Sequence, residues 1–251
     1  MTIAPHGKGL PAWVEVSAND TAAALKFYTE LFGWKSQATG DENFEYHVLM
    51  NGDKTIGGLS GKMNEYQPSQ WLTYFETDDI EKTIADIKAN GGMTYMAAMP
   101  MPGGLFTIAS DPAGAPLGVV QSTQMNSSYA EENGLLWYEL EVSKELEATL
   151  NFYEKVFDWQ PKTEYDNDEM TYATVGQVLG VYYTKKDFPE YFKNQSQWSV
   201  TFGVEDVEAV AKNAEALGGT IESIQKDTPY GDFAMLRDSE GAFFVVMRGN
   251  M

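Results

Sequence analysis

The chain says the same thing twice. Pro11 to Trp34 reads PAWVEVSANDTAAALKFYTELFGW, and Leu136 to Trp159 reads LWYELEVSKELEATLNFYEKVFDW. Each copy has a Trp-x-Glu tripeptide, a helical run ending in Phe-Tyr, then Phe-x-Trp. A second block, SQWLTYFETDDIEKTIADIKANGG from Ser69, returns as SQWSVTFGVEDVEAVAKNAEALGG from Ser196. A third, DPAGA from Asp111, returns as DSEGA from Asp238. Both later blocks are displaced by 127 residues, and all three keep their order. Internal repetition on this scale constrains the fold more than any local propensity. It divides the 251 residues into two homologous halves, expected as domains 1–124 and 125–251.

Within each half a smaller plan recurs. Ala12 to Ala18 alternates, with Trp13, Glu15 and Ser17 on one face and Val14, Val16 and Ala18 on the other, as a strand does. Asn19-Asp20-Thr21 offers helix caps, Ala24, Phe27, Tyr28 and Leu31 form a helical stripe, and Gly33 is a natural stop. Three strands follow, two of them flanking the Asn51-Gly52-Asp53 turn. Trp71 to Gln121 reads the same way: a strand, a helix capped by Asp78/Asp79, and three strands around the loop Met99–Gly104 and the turn Asp111–Gly114. The polar stretch Gln121–Gly134 reads as a linker. The second half repeats the plan, with one extra residue between Glu139 and Phe152 and a hairpin at Gly176-Gln177 expected to be shorter than that at Asn51. The class is α+β, built from four βαβββ modules.

Composition narrows the partners. Seventeen Lys and Arg face 37 Asp and Glu, a net charge of −20. Such a surface repels phosphate backbones and anionic lipid, so nucleic acid and membrane are not expected. With no Cys there can be no thiolate nucleophile or Cys-ligated metal. The N-terminus lacks an apolar signal core, and no apolar run approaches the ~20 residues of a membrane span. A cytoplasmic protein, monomeric or homodimeric, is the expectation.

Four βαβββ modules, the Asp20-x₆-Phe27-Tyr28 helix pattern and the Asp-Pro-x-Gly turn at Asp111 resemble the glyoxalase/bleomycin-resistance/extradiol-dioxygenase superfamily, also called vicinal oxygen chelate. The Trp-x-Glu of each half is similar to the mycobacterial antigen group of two-domain glyoxalase-like proteins. The resemblance implies two cupped half-barrels that, in many members, hold a divalent metal through His or Glu of the first and last strands. Carried over, those positions fall on Trp13, Trp71 or Leu72, Gly57 or Gly58, and Gly118. In the second half they fall on Trp137 or Tyr138, Gly180, Trp198 or Ser199, and Val245. None is a good ligand. No metal and no cofactor are expected.

Other residues can make a site. His6 lies in the starting segment and reads as a spectator; His47, on a strand, is a candidate for the first cup. Glu15 and Glu139 each share a sheet face with a Trp two residues earlier. A carboxyl group beside an indole in a cavity has its pKa raised by desolvation, as a general base needs. The alternative is a Glu paired internally to hold modules together. Trp13, Trp71, Trp137 and Trp198 offer stacking surfaces for a flat ligand, or filling for the space that a metal would occupy. Tyr74 and Glu76 are replaced by Thr201 and Gly203, so the first cup is the more polar and is expected to be the site, lined by Trp13, Glu15, His47, Trp71 and Tyr74. Met93, Met96, Met99 and Met101 read as gap fillers or an adaptable apolar surface. The functional expectation is a metal-independent glyoxalase-like protein that binds or detoxifies a small aromatic or electrophilic metabolite. The alternatives are a divergent lyase, isomerase or hydrolase with Glu15 or Glu139 as base, the metal then at a non-standard site if present, and a structural module with filled cups.

Overall fold

The computed structural model describes residues 7–39, 45–122, 124–129, 132–186, 192 and 195–249. His6 lies outside them. The first half runs β1 (Pro11–Ala18), α1 (Thr21–Phe32), β2 (Lys35–Ala38), β3 (Tyr46–Asn51), β4 (Lys54–Gly61), β5 (Gln70–Glu76), α2 (Ile80–Ala89), β6 (Met93–Thr94), β7 (Met99–Met101), β8 (Gly104–Ser110) and β9 (Pro116–Ser122). The second runs β10 (Leu135–Val142), α3 (Leu146–Phe157), β11 (Lys162–Asp166), β12 (Met170–Val175), β13 (Leu179–Thr184), β14 (Gln197–Gly203), α4 (Val207–Ala216), β15 (Thr220–Thr228), β16 (Gly231–Arg237) and β17 (Phe243–Gly249). The α+β class and the twofold plan of βαβββ modules are what the repeats predict.

Each half forms one curled sheet. The orders are β2-β3-β4-β1-β5-β9-β8-β6, with β7 on β8, and β11-β12-β13-β10-β14-β17-β16-β15. The first strand of each half lies at the centre. Glu15 stands beside Gly58 on parallel β4, and Trp13 beside Tyr74 on antiparallel β5. Glu139 stands beside Gly180, and Trp137 beside Thr201. These registers decide which residues can meet in each cup.

The helices start where a side chain can satisfy their free N–H groups. Asp20, Asp79 and Asp206 each accept from the backbone N–H three residues on. We expect Asp79→Ala to cost about 1 kcal/mol in a urea melt, the usual worth of such a cap. Helix α3 has no side-chain cap; the extra residue of the second half is absorbed at Glu145, whose φ is 56°. Two expectations need correction. The Gly176 hairpin is the longer, with three residues between paired Val175 and Leu179 against two between Asn51 and Lys54. The loop after α2 also carries a strand, β7, in which Met99 pairs with Phe106.

One face of both sheets goes into a single core shared by the halves. Val14, Val16, Trp71 and Phe75 meet Leu140, Trp198, Phe202 and Phe244 there. Alternation puts the other face of each sheet in its cup. The halves are locked by reciprocal hydrogen bonds. Tyr28 donates to Asp238 at 2.7 Å and accepts from Trp71 at 2.8 Å. Tyr153 donates to Asp111 at 3.2 Å and accepts from Trp198 at 2.8 Å. The indoles of Trp34 and Trp159 donate to Asn133 and Gly9, each just before the other half's first strand.

Candidate functional site

The two cups are different. In the first, Trp13, Leu72, Tyr74 and Val120 form a buried cluster, with Tyr46, Phe106 and Met125 packed against it. Tyr74 can fill this cup because Gly118 stands beside it on β9. A Cβ at Gly118 would lie 2.1 Å from the Tyr74 ring. The linker then closes the mouth: Ser127 N–H donates to Ala12 O and Ser128 N–H to Thr55 O, both at 2.7 Å. Beneath, Trp13 Nε1 donates to Tyr46 Oη at 2.9 Å. Glu15 accepts from Ser60 at 3.0 Å and from Tyr46. Burial raises the Glu15 pKa, and those two hydrogen bonds oppose the rise. Glu15 is a half-buried, internally bonded carboxyl group.

In the second half Tyr74 and Gly118 become Thr201 and Val245, paired in the same register. The lost phenol ring is not replaced. A cleft of about 1590 Å³ opens there, floored by Trp137, Glu139 and Glu141 and walled by Tyr172, Tyr230 and Phe233. Asn51, Asp53 and Lys54 of the first half reach its rim. The open space thus lies in the second half, whereas the sequence pointed to the first cup. Polar residues were a poor guide there, because Tyr74 and Tyr46 close that cup with their rings.

The expected site residues separate by strand parity. Trp13, Glu15 and Tyr74 do come together, and so do Trp137 and Glu139. Trp71 and Trp198 point the opposite way, into the shared core, and bond Tyr28 and Tyr153. Neither can stack a ligand in a cup. His47 follows Tyr46 on β3 and so faces away from the first cup; its Nε2 lies 3.3 Å from Glu45 Oε1. Glu76, at the strand end, accepts from Gly7 N–H at 3.1 Å. Met93 and Met99 are exposed, whereas Met101 packs against the first cup's cluster.

Glu141, which the repeat comparison passed over, is the second carboxyl group of the open cleft. Its counterpart in the first half is Ser17. Glu139 and Glu141 are two residues apart on β10 and share its face. Glu141 is 2% exposed. Ser199 Oγ donates to its Oε1 at 2.7 Å, while Oε2 has no hydrogen-bond partner among the described residues. Burial, then the charge of Glu139, pushes the Glu141 pKa well up. Burial also pushes Glu139 up to about 7, against hydrogen bonds from Tyr172 and Trp137. The signal in the sequence was Trp137-x-Glu139-x-Glu141, a run of cup-facing positions ending in two acids.

The residues do not suit the divalent metal that the fold implies. Among the described residues no three His, Asp or Glu side chains converge. At the last-strand position, a Cβ on Gly180 would lie 2.6 Å from Tyr172 Oη, 2.9 Å from Trp137 Nε1 and 3.0 Å from Glu139 Oε2. The space for a ligating side chain is filled by a hydrogen-bonded Trp–Tyr–Glu cluster, and Ser199 and Val245 offer no carboxylate or imidazole.

Two half-barrels of paired βαβββ modules, each with a cup on the inner face, define the vicinal oxygen chelate class. The chain belongs to the Glyoxalase/Bleomycin resistance protein/Dioxygenase superfamily, which it matches over residues 11–119 and 141–246. It is 30% identical over 256 residues to CFP32 of Mycobacterium tuberculosis, which carries a provisional glyoxylase name, covering 97% of this chain and 96% of that one. It is 28% identical to the anthracycline biosynthesis protein DnrV of Streptomyces peucetius, covering 95% and 93%. An extradiol ring-cleaving dioxygenase from B. fuscum superimposes with a TM-score of 0.65 over all of this chain and 74% of its own, at 15% identity. That likeness speaks for the fold alone. No helix among the described residues is long and apolar enough to cross a membrane.

Proposed function

We propose that the chain binds a small aromatic metabolite in the cleft of the second half, without a resident metal. The observation that carries this is the contrast between the cups. Homologous strands build both, yet one is packed shut and the other stays open over a partly exposed Trp137. An open concave site lined by aromatic rings with a few convergent polar groups is the usual form of a small-molecule site. One relative is named for anthracycline biosynthesis, and fused aromatic rings of that kind are flat, as stacking on Trp137 requires.

The test is a thermal-shift screen of aromatic metabolites with and without divalent cations, since a ligand that binds only the folded state raises its stability. Hits are expected to bind without added metal. Trp137→Ala should weaken them about tenfold or more, while Trp13→Phe leaves them unchanged. Binding that survives Trp137→Ala, or that needs a divalent cation, would reject the proposal.

A specific observation also favours proton-transfer chemistry at this cleft, as in a lyase or isomerase. Glu139 faces the cavity with a pKa pushed up to about 7, close to the best value for a general base at neutral pH. Glu15, bonded internally to Ser60 and Tyr46, is not placed for that role. If the bound metabolite turns over, Glu139→Gln should abolish turnover even when the cleft is saturated with metabolite. A Glu139→Gln variant that turns over normally would remove this reading.

A further inference from the structure

The charge around the cleft is one-sided. Asp53, Glu132, Glu139, Glu141 and Glu164 line it, and among the described residues Lys54 is the lining residue of opposite sign. Acidic residues alone would be unremarkable in a chain of net charge −20. Glu141 is different. It lies at the floor, almost wholly buried, and one carboxylate oxygen has no hydrogen-bond partner among the described residues. A buried polar atom left without a partner is costly, and the first half avoids that cost by placing Ser17 at the equivalent position. Beside Glu141 the aromatic faces of Trp137, Tyr172 and Tyr230 border the same space. Ring faces attract cations, more strongly where water is excluded.

We infer that the ligand of this cleft is a cation, an aromatic or ring-bearing amine whose protonated nitrogen sits against Glu139 and Glu141 while its ring lies on Trp137. The inference rests on the second-half cleft being the binding site and adds the ligand's charge. An ammonium donates up to three hydrogen bonds and accepts none, so it complements the pair as the pair ionises. An anion would oppose that ionisation, and a neutral alcohol would bring one donor and no charge. Cation binding should also draw a proton off the pair. Among the described residues the titratable groups lining the cleft are Glu139 and Glu141 on β10, Glu164 and Tyr165 on β11, Tyr172 on β12, Tyr182 on β13 and Tyr230 before β16, with Asp53, Lys54, Tyr129 and Glu132 from the first half and the linker. Near neutral pH the carboxyl pair is the group poised to release that proton. Affinity for an amine that stays protonated across this range should therefore rise from pH 6 to pH 8.

The test uses three probes sharing one ring: 2-naphthylmethylammonium, 2-naphthylmethanol and 2-naphthoate. Each is titrated calorimetrically into the full chain at pH 8. The ammonium is expected to bind at least tenfold more tightly than the alcohol, with naphthoate weakest. In Glu141→Gln and, separately, Glu139→Gln the preference should fall below threefold. Two variants are used so that a local distortion in one does not decide the matter. If the alcohol or naphthoate binds as well as the ammonium, and Trp137→Ala still abolishes binding, the charge inference is overturned while the site stands. An ammonium preference unchanged in both Gln variants overturns it equally. Binding of none of the probes, or binding indifferent to Trp137→Ala, overturns both the charge and the site.

Discussion

Tyr28→Phe should lose about 3 kcal/mol of stability although it removes one oxygen atom from a helix far from the cleft. The Tyr28 hydroxyl joins three elements: it is donated by helix α1, accepted by Asp238 at the turn before β17, and it receives the Trp71 indole from β5. Tyr28 and Trp71 belong to the first half and Asp238 to the second, so the bond spans the shared core. Without the hydroxyl, Asp238 Oδ2 and Trp71 Nε1 both lose a partner in a dry place. Each orphaned buried polar group costs about 1–3 kcal/mol, more when charged. The ring itself keeps its packing against Trp34 and Phe244, so no cavity offsets or adds to this. Asp238 would not collapse into a new partner, because its Oδ1 is already held by the N–H groups of Glu240 and Ala242. Tyr153→Phe should cost less, since its bond to Asp111 is longer, at 3.2 Å. Urea melts of the two variants are the measurement. A loss below 1 kcal/mol for Tyr28→Phe would show that the Tyr28–Asp238 bond does not hold the halves together.

Those locks also show how far the sequence could be read. The Phe-Tyr pairs were legible as core because both residues fall on a helical stripe. The DPAGA and DSEGA segments were legible as turns for the ordinary reason that Asp, Pro and Gly favour them. Their joint role was hidden. Tyr28 and Asp238 lie 210 residues apart, and no local pattern indicates that a turn carboxylate in one half satisfies a helix hydroxyl in the other. The repeat itself was legible because it is a property of order along the chain, which is what a sequence records.

Which cup is open, and which residues face it, was read less well, for two physical reasons. The first is parity. Tyr74 and Leu72 share a strand face, so Trp71 must take the other; the same alternation sends Trp198 to the core and keeps Ser199 and Thr201 in the cup. The second is volume. Counting polar groups favoured the first cup, but whether a cup is open depends on how much side chain enters it. Tyr74 across from Gly118 fills the space, and Thr201 across from Val245 does not. Which glycine a ring lies against is set by register, and register is a fact of pairing between distant strands.

Stability should fall as pH rises from 5.5 to 8, and Glu141→Gln should remove much of the fall. Asp and Glu in most proteins are stabilised as anions in the folded state, which makes them more stable above pH 5. Here the buried carboxyl groups go the other way. Glu139 is raised to about 7, Asp111 to about 6, and Glu15, Glu141 and Asp238 are raised too, each chiefly by burial. A carboxyl group whose folded pKa exceeds its unfolded value of about 4 binds its proton more tightly in the folded state. Its contribution is complete below that unfolded value and is lost as pH climbs through the folded pKa. Exposed Asp158, Glu164, Asp166 and Glu169 are shifted the opposite way by neighbouring lysines, but solvent screens such pairs to little effect. The buried set therefore decides the slope. For Glu139 a rise from 4.5 to about 7 corresponds to at most ~3 kcal/mol at high pH, by 1.36 kcal/mol per pH unit. Water reaching the cleft lowers that to about 1–3 kcal/mol. Glu141 is the more deeply buried and is pushed up further by Glu139, so neutralising it helps twice: it removes one carboxyl group that resists ionisation and relieves the other. Glu141→Gln should leave stability nearly unchanged at pH 5.5 and raise it at pH 8. Urea melts of both proteins at the two pH values measure this directly. A parent protein more stable at pH 8 than at 5.5, or a Gln variant that follows the parent at both, would mean that the floor of the cleft is wet enough to hold two carboxylates.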